Sequence, residues 1–145
     1  MWTEAQLAYL AGIIDGEGSI YIQRRLQGKK KTHFSYFPRF QVSNTNREVM
    51  DWIKNTFGGL LYTKPRTKHN PKWRLQFEWF TTVGLLDQLL PLIFPYLIIK
   101  KPHAEIMMQF RDTFKEIRVS QKIPAEVQDF RLECMQKIKH LIHPI

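Results

Sequence analysis

The run Tyr9-Leu10-Ala11-Gly12-Ile13-Ile14-Asp15-Gly16-Glu17-Gly18-Ser19 sets two acids where a helix should end. Leu7, Leu10, Ala11 and Ile14 follow helical spacing, and Gly16 and Gly18 predict the stop. A carboxylate at a helix C-terminus is unfavourable, because unpaired carbonyls and the negative end of the helix dipole already crowd that place. A hard cation resolves the conflict, since Mg²⁺ prefers carboxylate, carbonyl and water oxygens. Glu17 is therefore the candidate metal ligand. Gly12 and Gly16, four residues apart, share one helix face, where small residues let a second backbone come close.

The elements that must position this acid are legible in the flanking pattern. Thr3 and Gln6 form a capping box that starts the helix. From Ser19 to Leu26 the pattern alternates, with Ile20 and Ile22 on one side and Tyr21, Gln23 and Arg25 on the other, which predicts a half-buried strand. A polar, basic loop from Gln27 to His33 leads to a second strand, Phe34 to Ser43, with Phe40 and Val42 inward and Arg39, Gln41 and Ser43 outward. Asn44-Thr45-Asn46 supplies the cap of a helix through Val49, Met50, Trp52, Ile53 and Phe57, ended by Gly58-Gly59; read from local sequence alone, Asn44 itself is a cap candidate.

A second hairpin follows, Leu60 to Arg66 and Trp73 to Phe80, and Thr81 or Thr82 caps a helix from Val83 to about Phe94. Pro95 breaks the chain, residues 96–102 link, and helices are expected from about Pro102 to Arg118 and from Ala125 to Ile142. Val127, Phe130, Cys134, Ile138 and Leu141 form the packing stripe of the last helix, with Phe110, Phe114 and Ile117 serving the one before. The order is an αββ unit repeated once, then extra C-terminal helices. It predicts an α+β fold, αββαββα, with four mostly antiparallel strands and helices on one face, in a single domain spanning residues 1–145.

On that plan the opposite sheet face collects Tyr21, Gln23, Arg25, Arg39, Gln41, Lys64, Arg66, Arg74 and Gln76. Arginine suits the guanine edge and glutamine the adenine edge in a DNA major groove. The 145-residue chain carries 22 Lys plus Arg against 13 acidic residues, a net +9 that favours a polyanionic partner. The basic runs Lys29-Lys30-Lys31 and Lys64 to Lys72 would grip phosphates, adding affinity more than sequence information. A membrane surface is disfavoured, because no basic amphipathic helix dominates and the apolar stretch Leu85 to Ile99 is interrupted by Asp87, Gln88, Pro91 and Pro95. The N-terminus lacks the basic start and apolar run of a secretory signal, so an intracellular protein is expected, in a host compartment left open. One cysteine, Cys134, and five scattered histidines offer neither a disulfide nor a zinc site.

Leu10 to Gly18 resembles the signature of the LAGLIDADG homing endonucleases, and the αββαββα order is similar to that family's fold. The resemblance implies an antiparallel sheet that forms a saddle over double-stranded DNA. It also implies hydrolysis of one phosphodiester on each strand across the minor groove of a long, nearly palindromic target, leaving 3′ overhangs. One copy of the motif is present, which by resemblance implies a homodimer with Ala11, Gly12, Ile13 and Gly16 near the interface and Glu17 of each subunit at the axis.

The resemblance also assigns roles. Glu17 and the carbonyl of Gly16 would hold the catalytic metal, while Asp15 takes the earlier, structural acidic position. Glu17 stands where the family name has Asp and Gly16 where it has Ala, so the acid reaches about one methylene further. Leu92 to Lys101 is similar to the stretch that brings a basic residue into the pocket, which makes Lys100 a catalytic candidate and Lys101 a contact to backbone phosphate. Gln41-Val42-Ser43-Asn44 matches a strand end whose polar residue orders water, so Asn44 is the third candidate, with Arg47 one helical turn on. Ser19 joins the DNA-contacting residues. Mg²⁺ is the expected cofactor, with Mn²⁺ substituting and Ca²⁺ binding without supporting cleavage. The alternative is a non-catalytic binder on the same scaffold, an intron-RNA maturase or a DNA-binding regulator.

Overall fold

The computed structural model describes residues 1–30, 33–64, 75–115, 117 and 122–144. Thr3 starts α1 (Glu4–Glu17) as its capping box predicts. Its hydroxyl accepts the Gln6 N–H at 3.1 Å, and the Gln6 side chain accepts the Thr3 N–H at 2.9 Å. Such a cap is worth about 1 kcal/mol. The helix runs directly into β1 (Gly18–Gln27) with no intervening loop. The helix stops at Gly18 as expected, and Gly18 is extended there, at φ −87° and ψ 169°. Crowding accounts for the missing side chain, since a Cβ on Gly18 would lie 2.8 Å from the Cα and 2.9 Å from the carbonyl oxygen of Ile14.

Next come β2 (His33–Asn44), α2 (Arg47–Phe57), β3 (Leu60–Lys64) and β4 (Gln76–Phe80). The four strands form one antiparallel sheet in the order β1-β2-β4-β3, so the predicted α+β class with two strand pairs is found. Val42 pairs with Trp79 and Asn44 with Phe77 across β2 and β4, and Lys64 pairs with Gln76 across β3 and β4. The expected extensions of the second hairpin to Arg66 and back to Trp73 and Arg74 fall outside the described residues.

Asn46, not Asn44, caps α2, its side chain accepting the Val49 N–H at 2.9 Å. Gly59, at φ +84°, could carry no side chain: a Cβ would sit 2.6 Å from the Phe80 carbonyl oxygen. That close approach lets the fully buried Trp79 donate its indole N–H to the Gly58 carbonyl at 2.7 Å. Thr82 caps α3 (Val83–Ile93), which is followed by a 3-10 turn, Phe94–Tyr96. The chain then forms α4 (Lys101–Asp112) and α5 (Ala125–Ile142). No helix of the described residues is long and apolar enough to cross a membrane.

α4 stops short of the expected Arg118, itself outside the described residues. The Thr113 hydroxyl donates back to the Phe110 carbonyl at 2.7 Å, capturing an acceptor that a further turn would use. The chain divides into two compact units, one of Met1–Ser19 and Phe40–Ile99, the other of Ile20–Arg39 and Lys100–Ile145. In the first, Leu10, Ile14, Phe40, Val42, Met50, Ile53, Trp79, Leu86, Leu89, Leu90 and Ile93 form the core. In the second, Ile20, Ile22, Tyr36, Met107, Phe110, Cys134 and Ile138 do so, while Leu141 of the predicted stripe is 39% exposed.

Burial pushes the Cys134 thiol up to about 11, which keeps it protonated and unreactive. Arg131, which apolar periodicity passes over, is buried against the C-terminus of α4. Its Nε donates to Thr113 Oγ1 at 2.9 Å and its Nη2 to the Thr113 carbonyl at 3.2 Å, and the guanidinium lies 3.7 Å from the Phe114 ring centroid. Burial holds Arg131 below the usual arginine range, and Arg111 adds to that. The negative end of α4 compensates the buried charge.

Because the Gly18 backbone is in a conformation open to any residue, its substitution costs only the clash. Gly18→Ala is expected to lower unfolding free energy by about 1–3 kcal/mol in a denaturant titration. An unchanged midpoint would show that the α1–β1 junction is looser than this geometry.

Candidate active site

Glu17 is the last residue of α1 and its side chain is exposed. One of its oxygens, Oε2, accepts a hydrogen bond from Asn44 Nδ2 at 2.9 Å. Asn44 is the last residue of β2, and its Oδ1 accepts the backbone N–H of Asn46 at 2.9 Å. That backbone donor fixes the orientation of the amide: turned over, the Asn44 NH₂ would face another N–H and its oxygen would face a carboxylate. The amide thus donates to Glu17 and leaves Oε1 of the carboxylate without a hydrogen bond among the described residues. The structure brings together the two candidates Glu17 and Asn44, 27 positions apart, and the reading of Asn44 as a helix cap is corrected.

Asp15 has a different part. Its Oδ2 accepts the backbone N–H of Ile98 at 2.8 Å, and near the other end of α1 the Tyr96 hydroxyl donates to Glu4 Oε1 at 2.9 Å. Both ends of α1 therefore hold the segment after α3, Asp15 through the Ile98 backbone and Glu4 through Tyr96. The Tyr96 hydroxyl is raised above its ordinary range by the Glu4 hydrogen bond first, then by burial. In the second unit, half-buried Lys100 caps α4, its carbonyl accepting the Ala104 N–H at 3.0 Å, and exposed Lys101 opens that helix. Arg47 lies at the start of α2, its Nε donating to Asp51 at 3.1 Å and its guanidinium 5.0 Å from the Phe77 ring centroid. This occupies Arg47 with an ion pair one helical turn along its own helix rather than with the Glu17 carboxylate.

The donors at the end of α1 fit a hard divalent cation. Glu17 offers a carboxylate oxygen, and the carbonyls of Gly16 and Glu17 lie in a last turn that no further helical N–H follows. No group of three or more His, Cys, Asp or Glu among the described residues could hold a metal. One chain supplies a partial oxygen donor set, suited to completion by further carboxylate, phosphate or water oxygens.

The helix beside this site presents an exposed stripe of small residues, Ala5, Ala8, Gly12 and Gly16, flanked by half-buried Ile13. A Cβ added to Gly12 or Gly16 would meet nothing within 4 Å, so no packing among the described residues requires these glycines. Ala11, expected on the same surface, is fully buried in the chain's own core, where helical rotation places it with Leu7 and Ile14. It is not available to a partner.

Each unit carries its own polar strand residues. In the first unit, cross-strand register places Gln41, Ser43, Gln76, Glu78, Tyr62 and Lys64 on one face. Lys64 lies 3.4 Å from Glu78, whose negative charge offsets it on this face, and exposed Leu60 and Tyr62 with Phe80 add an apolar edge that the basic reading omitted. Alternation of Leu60, Tyr62 and Lys64 along β3 was the available signal for it. Half-buried Ser19 is the second residue of β1. In the second unit the face carries Tyr21, Gln23, Arg25 and Arg39, with Arg25 5.3 Å from the Phe37 ring centroid. Arg66 and Arg74 lie outside the described residues.

A family model of the LAGLIDADG endonucleases matches residues 10–101 of this chain, from the start of the motif through Glu17 and Asn44 to Lys101. The homing endonuclease I-ApeII of Aeropyrum pernix is 34% identical over 62 residues, and that match spans 42% of this chain but only 37% of I-ApeII. Among solved structures, the archaeal intron-encoded homing endonuclease I-Vdi141I, complexed with DNA, superposes with a TM-score of 0.76 at 16% identity, covering 95% of this chain and 84% of that one. I-SmaMI, bound to an uncleaved DNA target in the presence of calcium ions, gives a TM-score of 0.65 at 20% identity, covering 95% of this chain and 45% of that one. At these identities the structural likenesses establish the fold.

Asn44→Asp would confront Glu17 with a second carboxylate in place of a donor. The variant is expected to melt below wild type at pH 8 and to gain more in melting temperature from millimolar Mg²⁺ than wild type does. Equal Mg²⁺ responses in the two proteins would count against a cation site at this helix end.

Proposed function

Because this chain belongs to the LAGLIDADG endonuclease family, we propose that it is a site-specific double-stranded DNA endonuclease. It hydrolyses one phosphodiester on each strand of a long, nearly palindromic target, acting as a homodimer with divalent metal ions. The observation that carries this reading is the Glu17 carboxylate, left at the negative end of α1 with, among the described residues, a single neutral hydrogen bond from Asn44. Two such ends brought side by side would repel, and a shared cation site between them is the arrangement that turns the repulsion into binding.

The chain's residues divide the work. Glu17 and the Gly16 carbonyl hold the cation, and Asn44 fixes the rotamer of Glu17 and orders water beside it. A bound divalent ion supplies positive charge against the phosphate oxygens and makes nearby water more acidic. Lys100 supplies a second positive charge for the pentavalent transition state, and Lys101 binds backbone phosphate. Mg²⁺ is the working ion and Mn²⁺ its substitute, while Ca²⁺ supports binding without cleavage. Homodimerisation is supported by the single copy of the motif in this sequence and by the exposed stripe of small residues on the helix that carries it.

The test is selection of cleaved products from a randomised, two-fold-biased duplex library with Mg²⁺, beside Glu17→Gln and a Ca²⁺ control. Wild type should yield a near-palindromic site that Glu17→Gln binds but does not cut. Equal duplex binding by both proteins with no cleavage under any metal condition would overturn the nuclease reading in favour of a non-catalytic nucleic-acid binder. For the dimer, Gly12→Leu should leave the isolated chain as stable or more so, because open space surrounds that position and leucine favours helix by almost 1 kcal/mol over glycine. In sedimentation the variant should run as a monomer where wild type runs as a dimer; a dimeric variant would move the interface off this helix face.

A further inference from the structure

Gln23 sits half-buried on β1, and its Oε1 is a shared acceptor for two arginines. Arg39 donates to it from both Nε at 3.0 Å and Nη2 at 2.9 Å, and Arg25 donates from Nη2 at 3.2 Å. An amide oxygen has two lone pairs, so these bonds use its whole accepting capacity. The opposite orientation of the amide would set its NH₂ against three N–H donors, so the orientation is forced. A glutamine reads adenine by offering its oxygen to N6 while its NH₂ donates to N7. Gln23 has no oxygen left to offer.

Arg39, by contrast, is held ready. The edge that carries Nε–H is spent on Gln23, which leaves the end of the fork, one N–H from each of Nη1 and Nη2, pointing away from its anchor. That pair matches guanine O6 and N7. The charge balance agrees: among the described residues Arg47 pairs with Asp51 and Lys64 with Glu78, yet neither Arg25 nor Arg39 has a carboxylate partner. Two cations sharing one neutral oxygen repel each other, and an electronegative base edge placed between their free donors relieves this.

We propose that Arg39 reads a guanine in each half of the DNA target, and that Gln23 is its positioning residue and not an adenine reader. Arg25, stacked on Phe37, completes the pair and supplies positive charge beside the same base. The inference rests on the DNA-binding reading above. It reverses the expectation that each glutamine on this face specifies adenine.

The experiment is binding selection from the randomised duplex library with Ca²⁺, using the full-length wild type, Arg39→Ala, Gln23→Ala and Gln23→Glu, each first checked for an unchanged melting curve. Single-base variants of the selected site are then titrated by fluorescence polarisation. Arg39→Ala should erase one guanine preference per half-site. Gln23→Ala should weaken that same preference about tenfold or more, while affinity for unrelated duplex changes little. Gln23→Glu restores an acceptor, so it should keep the guanine preference and lose affinity uniformly, with a salt slope smaller by about one. Loss of an adenine preference in Gln23→Ala at a position that Arg39→Ala leaves intact would overturn the inference, as would an unchanged guanine preference in Gln23→Ala. If wild type selects no site at all, the DNA-binding reading fails first and takes this inference with it.

Discussion

The site depends on a charge placed where the backbone disfavours it. Glu17 stands at the end of α1, among carbonyls that no helical donor reaches, and among the described residues its one hydrogen bond comes from a neutral amide. An arginine at position 44 would have satisfied the acid and closed the site. The asparagine orients the carboxylate without neutralising it, which keeps the helix end attractive to a cation. Asp15, two residues earlier on the same helix, is instead consumed by the Ile98 backbone N–H. Two acids of one motif therefore divide into a structural one and an available one.

Holding that carboxylate steady is the task of the surrounding fold. α1 passes into β1 at Gly18 without a loop, so the acid is tied to the sheet at the next residue. Contact between Gly18 and the Ile14 backbone leaves no space for a side chain there. β2 brings Asn44 to the same place, and its register is set by pairing with β4, whose Phe77 and Trp79 are buried. The Trp79 indole is anchored in turn by the Gly58 carbonyl. A loop could carry these residues, but strand and helix ends fix them more tightly.

A similar contrast between satisfied and available charge runs through the cations. Arg131 is buried and satisfied by the end of α4, and Arg47 and Lys64 have carboxylates. Arg25 and Arg39 share the oxygen of Gln23 and have no carboxylate partner among the described residues. Structural cations are thus matched by acids or helix ends, whereas the pair on the polar face of the β1–β2 hairpin retains its full charge for a polyanion.

Much of the fold was legible in the residues. Alternation and caps gave the order of helices and strands, because a core-facing stripe must repeat at the period of the backbone that carries it. The capping box at Thr3, the buried faces of β1 and β2 and the bounds of α5 all follow from such local rules. The motif gave Glu17 and its helix end, since helix electrostatics is a local property. Periodicity was silent on partners distant in the chain. Only the tertiary structure decided that Asn44 meets Glu17 while Asn46 takes the cap, that Ala11 turns inward while Gly12 stays open, and that Gln23 faces two arginines. Those outcomes depend on strand register and helix rotation. Both are set by the packing of many side chains at once, and no short stretch of sequence carries that sum.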